Sequence, residues 1–402
     1  QIQRGEDVIS RIIYATKEGG LQEMGVLVRA TIESLLARMH KRTGIDPASI
    51  GAAMVSGNTT MLHLLLGLPP ETIRLSPYIP LASQPAPLLA REIGLGIHPL
   101  ASVDPLPGVA SYVGADISAG ALACGLAEDE AISLFIDVGT NGEMVLGNRD
   151  WMVTCACSAG PAFEGAGVID GMRATEGAIE ELWVHSETFE PTWRVIGGGA
   201  PRGLCGSGLI SLLSELFVTG VIDRSGNVRL DSGSRRTRIG AHGPEYVVAW
   251  SDQTVHGREI ALTEVDIDNL MRAKAAIYAG FSVLAEQVGL DLGSVERVLV
   301  GGSFGQYINV ENAVKIGLLP DLPWDRFQFL GNTSLLGTAM ALSSPAARRR
   351  ISEIAEAMTY IELSADNSFY EAFIGALFLP HTEIDRFPSV AQVWQRMDAN
   401  PG

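Results

Sequence analysis

The chain has 402 residues, a formal net charge of −17 and 47% hydrophobic residues, so it predicts two or three domains with large buried cores. The excess of acidic residues disfavours nucleic acid as a partner, because like charges repel the phosphate backbone. No uninterrupted apolar run approaches the ~20 residues of a membrane span, so no membrane partner is expected. The four cysteines form no C-x-x-C pair, and a cytoplasmic location is expected.

The first half of the chain reads as alternating helices and strands. A helix start at 6–13 is followed by a helical apolar pattern over 21–42. A short apolar strand over 50–55 then ends in Ser56-Gly57-Asn58-Thr59-Thr60, and another helix opens at Met61. A helix of small residues over 117–126 closes this series.

The second half repeats that order. A helix over 265–288 precedes a strand over 295–300, a glycine turn from Gly301 to Gly305 and a further helix. A strand ending near Gly331 then leads into a small-residue helix over 334–342. The matched order predicts an α/β fold of two related lobes with mainly parallel sheets.

The second copy is preceded by a β-hairpin, with strands over 132–137 and 143–146. The first copy has only residues 1–20 upstream, so its own hairpin is expected to be missing. The expected division is a first lobe over 1–130, a second lobe over 131–345 with a subdomain inserted over about 160–262, and a C-terminal helical segment over 346–402. Within the insert we expect a helix over 207–217, strands over 193–196 and 246–250, and a loop over 225–243.

The hairpin turn Asp137-Val138-Gly139-Thr140-Asn141-Gly142 is a candidate phosphate site. Glycines let backbone N–H groups approach a phosphate, and the two polar side chains can donate to its oxygens. A carboxylate at the strand end, Asp137, suits hydrated Mg²⁺, which keeps most of its waters. An ordinary hairpin turn is an equally good interpretation of this segment alone, since Asn-Gly is a common turn pair.

Two other glycine corners favour nucleotide binding. Gly301-Gly302-Ser303 and Gly57-Asn58-Thr59-Thr60 each follow a strand and open a helix, the position where nucleotides bind α/β sheets. In two facing lobes these corners would converge on one cleft. No P-loop motif is present.

The glycine turns in duplicated lobes resemble the actin-like ATPase superfamily of sugar kinases, heat-shock chaperones and actin, whose lobes are ribonuclease H-like. Five segments resemble, more closely, the reductive activators of corrinoid proteins: Gly5–Ile12, Ser56–Met61, Asp137–Glu143, Ala159–Gly165 and Cys205–Gly208. This resemblance spans nearly all of the chain.

The resemblance implies an ATP-dependent activator that returns a corrinoid protein of a methyltransferase system from Co(II) to Co(I). This chain would be its ATPase and corrinoid-protein-binding part. Electrons would arrive through an N-terminal [2Fe–2S] ferredoxin domain, whose C-x₄-C-x₂-C pattern is absent here. As it stands, the chain is expected neither to transfer electrons nor to hold ATP tightly, and a homodimer stays open.

The resemblance also implies roles for individual residues. Asp137 would contact Mg²⁺ through a bound water, and either Asn58 or Thr59 would orient the attacking water. Lys274 would face the nucleotide, with an exposed helix lysine as the alternative. The remaining nucleotide-binding candidates are Gly139, Thr140, Asn141 and Gly142 in the phosphate loop, Gly301, Gly302 and Ser303 beside the adenosine, and Gly331 at a lobe-connecting helix.

Several alternatives remain at this point. Glu143 and Glu164 read either as catalytic bases or as structural carboxylates, and Cys155 and Cys157 read better as strand packing than as metal ligands. A sugar or small-acid kinase, and a partner-binding module without catalysis, would use the same fold. An activator of 2-hydroxyacyl-CoA dehydratases or benzoyl-CoA reductases would need cluster cysteines in a pattern that this sequence lacks.

Overall fold

The computed structural model describes residue 5 and residues 7–302, 308–365 and 367–391. The helices are α1 (Val8–Ala15), α2 (Gly20–Thr43), α3 (Thr59–Leu66), α4 (Ala90–Ile93), α5 (Ala115–Ala123), α6 (Gly206–Val218), α7 (Glu264–Gln287), α8 (Val310–Lys315), α9 (Thr333–Ser343), α10 (Pro345–Ala357) and α11 (Ser368–Ala376). The strands are β1 (Ala52–Val55), β2 (Leu88–Leu89), β3 (Ser102–Pro105), β4 (Ser133–Val138), β5 (Gly142–Gly147), β6 (Met152–Cys157), β7 (Ala178–Val184), β8 (Pro191–Val195), β9 (Gly203–Leu204), β10 (Thr237–Gly240), β11 (Gly243–Ala249), β12 (Ile260–Thr263), β13 (Arg297–Gly301), β14 (Phe327–Gly331) and β15 (Met358–Tyr360).

The fold is α/β, as expected, but the expectation of mainly parallel sheets is wrong. The described strands form three three-stranded sheets, in the orders β1-β3-β2, β10-β11-β12 and β8-β7-β9, and a six-stranded sheet in the order β14-β13-β4-β5-β6-β15. Parallel and antiparallel pairs both occur, because short hairpins alternate with helical crossovers. Among the described residues, no helix combines the length and apolarity needed to cross a bilayer.

The chain separates into two compact units. The first contains Gln1–Phe135, Val145–Cys155 and Asn332–Ile361, and the second contains Ile136–Met144, Ala156–Gly331 and Glu362–Gly402. The predicted division into a first lobe, a second lobe and a C-terminal segment stays a prediction.

In the first unit, the predicted helix over 21–42 is confirmed as α2. It ends at Gly44, whose left-handed backbone (φ 76°) lets its N–H bond to the His40 carbonyl. Its buried residues Met24 and Val28 pack with Leu64 and Leu65 of α3. Strand β1 then pairs in parallel with β3.

In the second unit, the predicted helix over 265–288 is confirmed as α7. Thr263 caps it, because its hydroxyl accepts the Asp266 N–H while the Asp266 carboxylate accepts the Thr263 N–H. Strand β13 follows and pairs in parallel with β14, with Val298 opposite Phe327.

The predicted helix and strands between 160 and 262 are confirmed as α6, β8 and β11. The expectation of a loop over 225–243 is partly wrong, because Thr237–Gly240 forms β10 and pairs antiparallel with β11. The hydrophobicity pattern does not reveal this strand, because arginines lie in it and beside it. Helix α6 lies directly on β7, where the Ser211 hydroxyl donates to the Leu182 carbonyl at 2.6 Å.

Candidate phosphate-binding site

Asp137 lies at the carboxyl end of β4, immediately before the glycine turn. Burial raises the pKa of its carboxyl group to about 6. No described residue forms an ion pair or hydrogen bond with this carboxylate. A nearby cation stabilises a partly buried carboxylate that has no ion pair or hydrogen bond.

The backbone of Gly302, directly after β13, packs against this carboxylate. Its backbone has a φ of +88°, and a Cβ built there would lie 2.9 Å from Asp137 Oδ1 and 2.7 Å from the Val138 carbonyl oxygen. Only glycine fits this close approach. Gly301 precedes it as the buried last residue of β13, and the predicted adenosine contact Ser303 lies outside the described residues.

The turn itself is closed by a bond from the Gly139 N–H to the Asn141 carbonyl, 2.9 Å long. At its tip, the Thr140 hydroxyl donates to Glu164 Oε1 at 2.7 Å. Gly142 returns the chain into β5 against packed side chains, since a Cβ there would lie 2.9 Å from Cys157 Sγ and 3.2 Å from Ile277 Cγ1. The Gly142 end of the turn is therefore packed against neighbouring side chains, whereas the Thr140–Glu164 hydrogen bond at its tip is exposed to solvent.

Gly331 lies beside this group in the sheet. It ends β14 with a φ of +65° and pairs with Gly301 of β13, after a register shift between Val300 and Gly301. The structure thus brings together Asp137, the 139–142 turn, Gly301, Gly302 and Gly331 in the second unit.

Asn58 and Thr59 belong to the first unit. Asn58 caps α3, and its Oδ1 accepts the Met61 N–H at 2.9 Å. The buried Thr59 hydroxyl donates to the Ala110 carbonyl at 2.7 Å. The Asn58 amide NH₂ bonds to no described residue, whereas the Thr59 hydroxyl has donated its only proton.

The expected role of Lys274 needs correction. Its side chain is fully buried in α7, and its ammonium group donates to the carbonyl oxygens of Phe378 and Pro380, the latter at 2.8 Å. Desolvation holds the pKa of Lys274 well below its usual range. The alternative of an exposed helix lysine is wrong, and a nucleotide contact is not supported either. Sequence could not reveal this, because both carbonyls lie more than a hundred residues away.

A cavity of about 260 Å³ lies beside α6, and apart from Ser207 the sequence did not single out the residues that line it. It is bordered by Glu180 and Arg194, which form an ion pair at 2.8 Å, by Ser207 and Ser211 of α6, and by Asn309 at the start of α8. Helix α6 follows directly on Cys205, so the Cys205–Gly208 segment leads into this wall.

Cys155 and Cys157 are buried in β6, as expected for strand packing.

A mixed α/β fold with a glycine turn and a carboxylate at the ends of adjacent strands is the arrangement that α/β proteins use to bind nucleotides. Residues 131–391 match the model for the C-terminal domain of RACo, the ASKHA domain, and residues 1–129 match the RACo middle region. The chain therefore belongs to the RACo family of corrinoid activators, which confirms the resemblance. An ASKHA domain implies ATP binding.

Individual relatives agree with this. The chain is 35% identical over 383 residues to the corrinoid activation enzyme RamQ of Eubacterium limosum, covering 93% of this chain and 64% of that protein. It is 27% identical to the [Co(II) methylated amine-specific corrinoid protein] reductase of Methanosarcina barkeri, covering 62% of this chain and 45% of that protein. A solved reductive activator for corrinoid,iron-sulfur protein has a TM-score of 0.92 and 47% identity, over 97% of this chain and 62% of that one. The chain thus spans less than two thirds of the length of each.

Proposed function

We propose that this chain is the ATPase and corrinoid-protein-binding part of an activator that returns a corrinoid protein of a methyltransferase system from Co(II) to Co(I). The observation that carries the proposal is the Asp137 carboxylate beneath Gly302, next to an open glycine turn, in a chain of the RACo family. The names of its relatives support the corrinoid protein as the partner.

The proposal includes a finer description of the fold: two related actin-like lobes, the second carrying an inserted subdomain. Its support is the element order, which is helix, strand, helix, strand, helix in both α2-β1-α3-β3-α5 and α7-β13-α8-β14-α9, leaving aside the short β2 and α4. In both series the two strands pair in parallel. An asparagine caps the helix after each first strand, Asn58 for α3 and Asn309 for α8.

The site residues fit MgATP. The N–H groups of Thr140 and Asn141 would bind phosphate oxygens, since the Gly139 N–H already bonds to the Asn141 carbonyl, and Gly301 and Gly302 would flank the adenosine. Asp137 would hold Mg²⁺ through a bound water, since this ion usually takes only one or two carboxylates from a protein. When bound, the ion would neutralise phosphate charge.

Asn58 would orient the water that attacks the terminal phosphate. Its capping bond occupies Oδ1 and fixes the side-chain rotamer, so the NH₂ group is held in one direction.

Reduction to Co(I) is energetically uphill, so binding energy must assist it. The ATPase part would bind the corrinoid protein tightly and displace a cobalt ligand. ATP hydrolysis would then release the corrinoid protein through a hinge movement. Electrons would reach cobalt through a [2Fe–2S] ferredoxin domain of the full-length protein. A cytoplasmic location belongs to the same proposal.

The test combines the full-length protein, MgATP, a low-potential reductant and a co-encoded corrinoid protein in the Co(II) state. The expected result is an ATP-dependent loss of the Co(II) electron paramagnetic resonance signal with a rise in Co(I) absorption. Asp137→Asn should abolish it, whereas Asp150→Asn, at an aspartate whose side chain is 71% exposed, should leave it intact. No ATP-dependent Co(I) with any co-encoded corrinoid protein would refute the proposal, and phosphorylation of a sugar or small acid would identify a kinase instead.

A further inference from the structure

The Thr140 hydroxyl group lies at the tip of the glycine turn, and its proton is already donated in a hydrogen bond. Thr140 Oγ1 donates to Glu164 Oε1 at 2.7 Å. A threonine hydroxyl has one proton, so in this arrangement it offers only lone pairs to anything else. A phosphate oxygen is also an acceptor, and it can bond to Thr140 only after that proton has turned away from Glu164.

Glu164 stands at the mouth of the turn. Its side chain is exposed, and its Oε1 would lie 3.9 Å from a Cβ built on Gly139. No described residue forms an ion pair with this carboxylate. An incoming phosphate therefore meets an uncompensated negative charge at the same hydroxyl that it needs as a donor.

We propose that Glu164 is a positioning residue of the phosphate loop that competes with bound phosphate for the Thr140 proton. This rests on the proposed nucleotide site. In the empty loop Glu164 holds the threonine rotamer through a charge-assisted hydrogen bond. When phosphate binds, the Thr140 proton turns to the phosphate, and the Glu164 carboxylate is released to water.

The competition predicts an unusual sign for a substitution at this site. In Glu164→Gln the acceptor is neutral and its hydrogen bond weaker, so the phosphate displaces it more easily. We expect the full-length protein carrying Glu164→Gln to bind MgADP about tenfold more tightly than wild type, a difference of about 1.4 kcal/mol. Isothermal titration calorimetry measures this directly.

A double-mutant cycle assigns the effect to the shared proton. Thr140→Val removes the hydroxyl and should weaken MgADP binding. In that background Glu164→Gln should improve binding by no more than about threefold, because only the charge effect remains. Glu187→Gln, at an exposed glutamate of the same unit, is the control for net charge and should leave the affinity unchanged.

The outcomes separate this inference from the proposed function. If wild type binds neither MgADP nor MgATP, the nucleotide site itself is refuted. If wild type binds and Glu164→Gln binds equally well or more weakly, Glu164 does not compete for the proton and the inference is overturned. Should Thr140→Val fail to fold, Thr140→Ser keeps the donor, and the sign of the Glu164→Gln effect in that background decides alone.

Discussion

The backbone of Gly302 lies against the side chain of Asp137, so that a single methyl group on Gly302 would come within 2.9 Å of the carboxylate. The two residues are far apart in sequence; Asp137 is the last residue but one of β4, and Gly302 directly follows β13, the neighbouring strand of the same sheet. Because nothing larger than a hydrogen separates them, the carboxylate loses water on that side. This contact explains why the Asp137 pKa is raised to about 6.

Asp137→Asn should therefore stabilise the protein in the absence of Mg²⁺ and nucleotide. The native-state pKa of about 6 lies above the ordinary value of 3.8, so the native state binds more protons between those values. The charged carboxylate costs stability above pH 6, and the cost disappears as the pH falls towards 4. We expect a gain on the order of 2 kcal/mol at pH 8 and none near pH 4.

Urea unfolding at several pH values, in the presence of EDTA, measures this difference. Asp150→Asn serves as the control, because its carboxylate is exposed. Equal effects of the two substitutions at pH 8 would show that burial of Asp137 has no energetic cost.

Gly302→Ala should damage both folding and nucleotide binding. The methyl group would overlap Asp137 Oδ1 and the Val138 carbonyl, and the positive φ adds backbone strain. Gly198→Ala separates the two causes, since Gly198 has a φ of +76° with nothing within 4 Å of a Cβ. We expect a loss of about 1 kcal/mol for Gly198→Ala and clearly more for Gly302→Ala, measured by urea unfolding. Similar losses would mean that the site accommodates the methyl group.

Lys274→Met should remove a pH dependence of stability. The native-state pKa of Lys274 is well below its usual value of 10.5, so the unfolded chain binds more protons in the window between them. Wild type should gain stability relative to Lys274→Met as the pH rises towards 10.5, by up to about 1.4 kcal/mol per pH unit. Lys315→Met, at a lysine paired with Glu311, is the matched control. Parallel stability curves for wild type and Lys274→Met would contradict the burial of this ammonium group.

Asn58→Ser should separate helix capping from catalysis. Serine caps helices about as well as asparagine, so the melting temperature should change little, whereas Asn58→Ala should lose about 1 kcal/mol. Neither variant keeps the amide NH₂, and ATP turnover by the full-length protein should fall by up to about a hundredfold in both. If turnover followed stability instead, with Asn58→Ser active, Asn58 would be a structural cap only.

The periodic parts of the fold could be predicted from sequence. The spacing of apolar residues predicts helices α2 and α7. Short apolar runs that end in glycine turns predict strands β1 and β13. Strand β10 could not be found in this way, because Arg236 and Arg238 interrupt its pattern. In the structure Arg236 is buried and donates to the Glu190 carboxylate, so it takes a position usually held by an apolar residue, whereas Arg238 is partly exposed and donates to the Glu245 carboxylate.

The sequence by itself determined that a carboxylate and a set of glycines stand at strand ends, because turns and strand ends are local features of the chain. Only the tertiary structure decided which of them meet. It placed Gly302 against Asp137, gave the Thr140 proton to Glu164, and buried Lys274 against two distant carbonyls. Such contacts join residues that local backbone preferences do not relate, so they depend on how the strands and helices pack together.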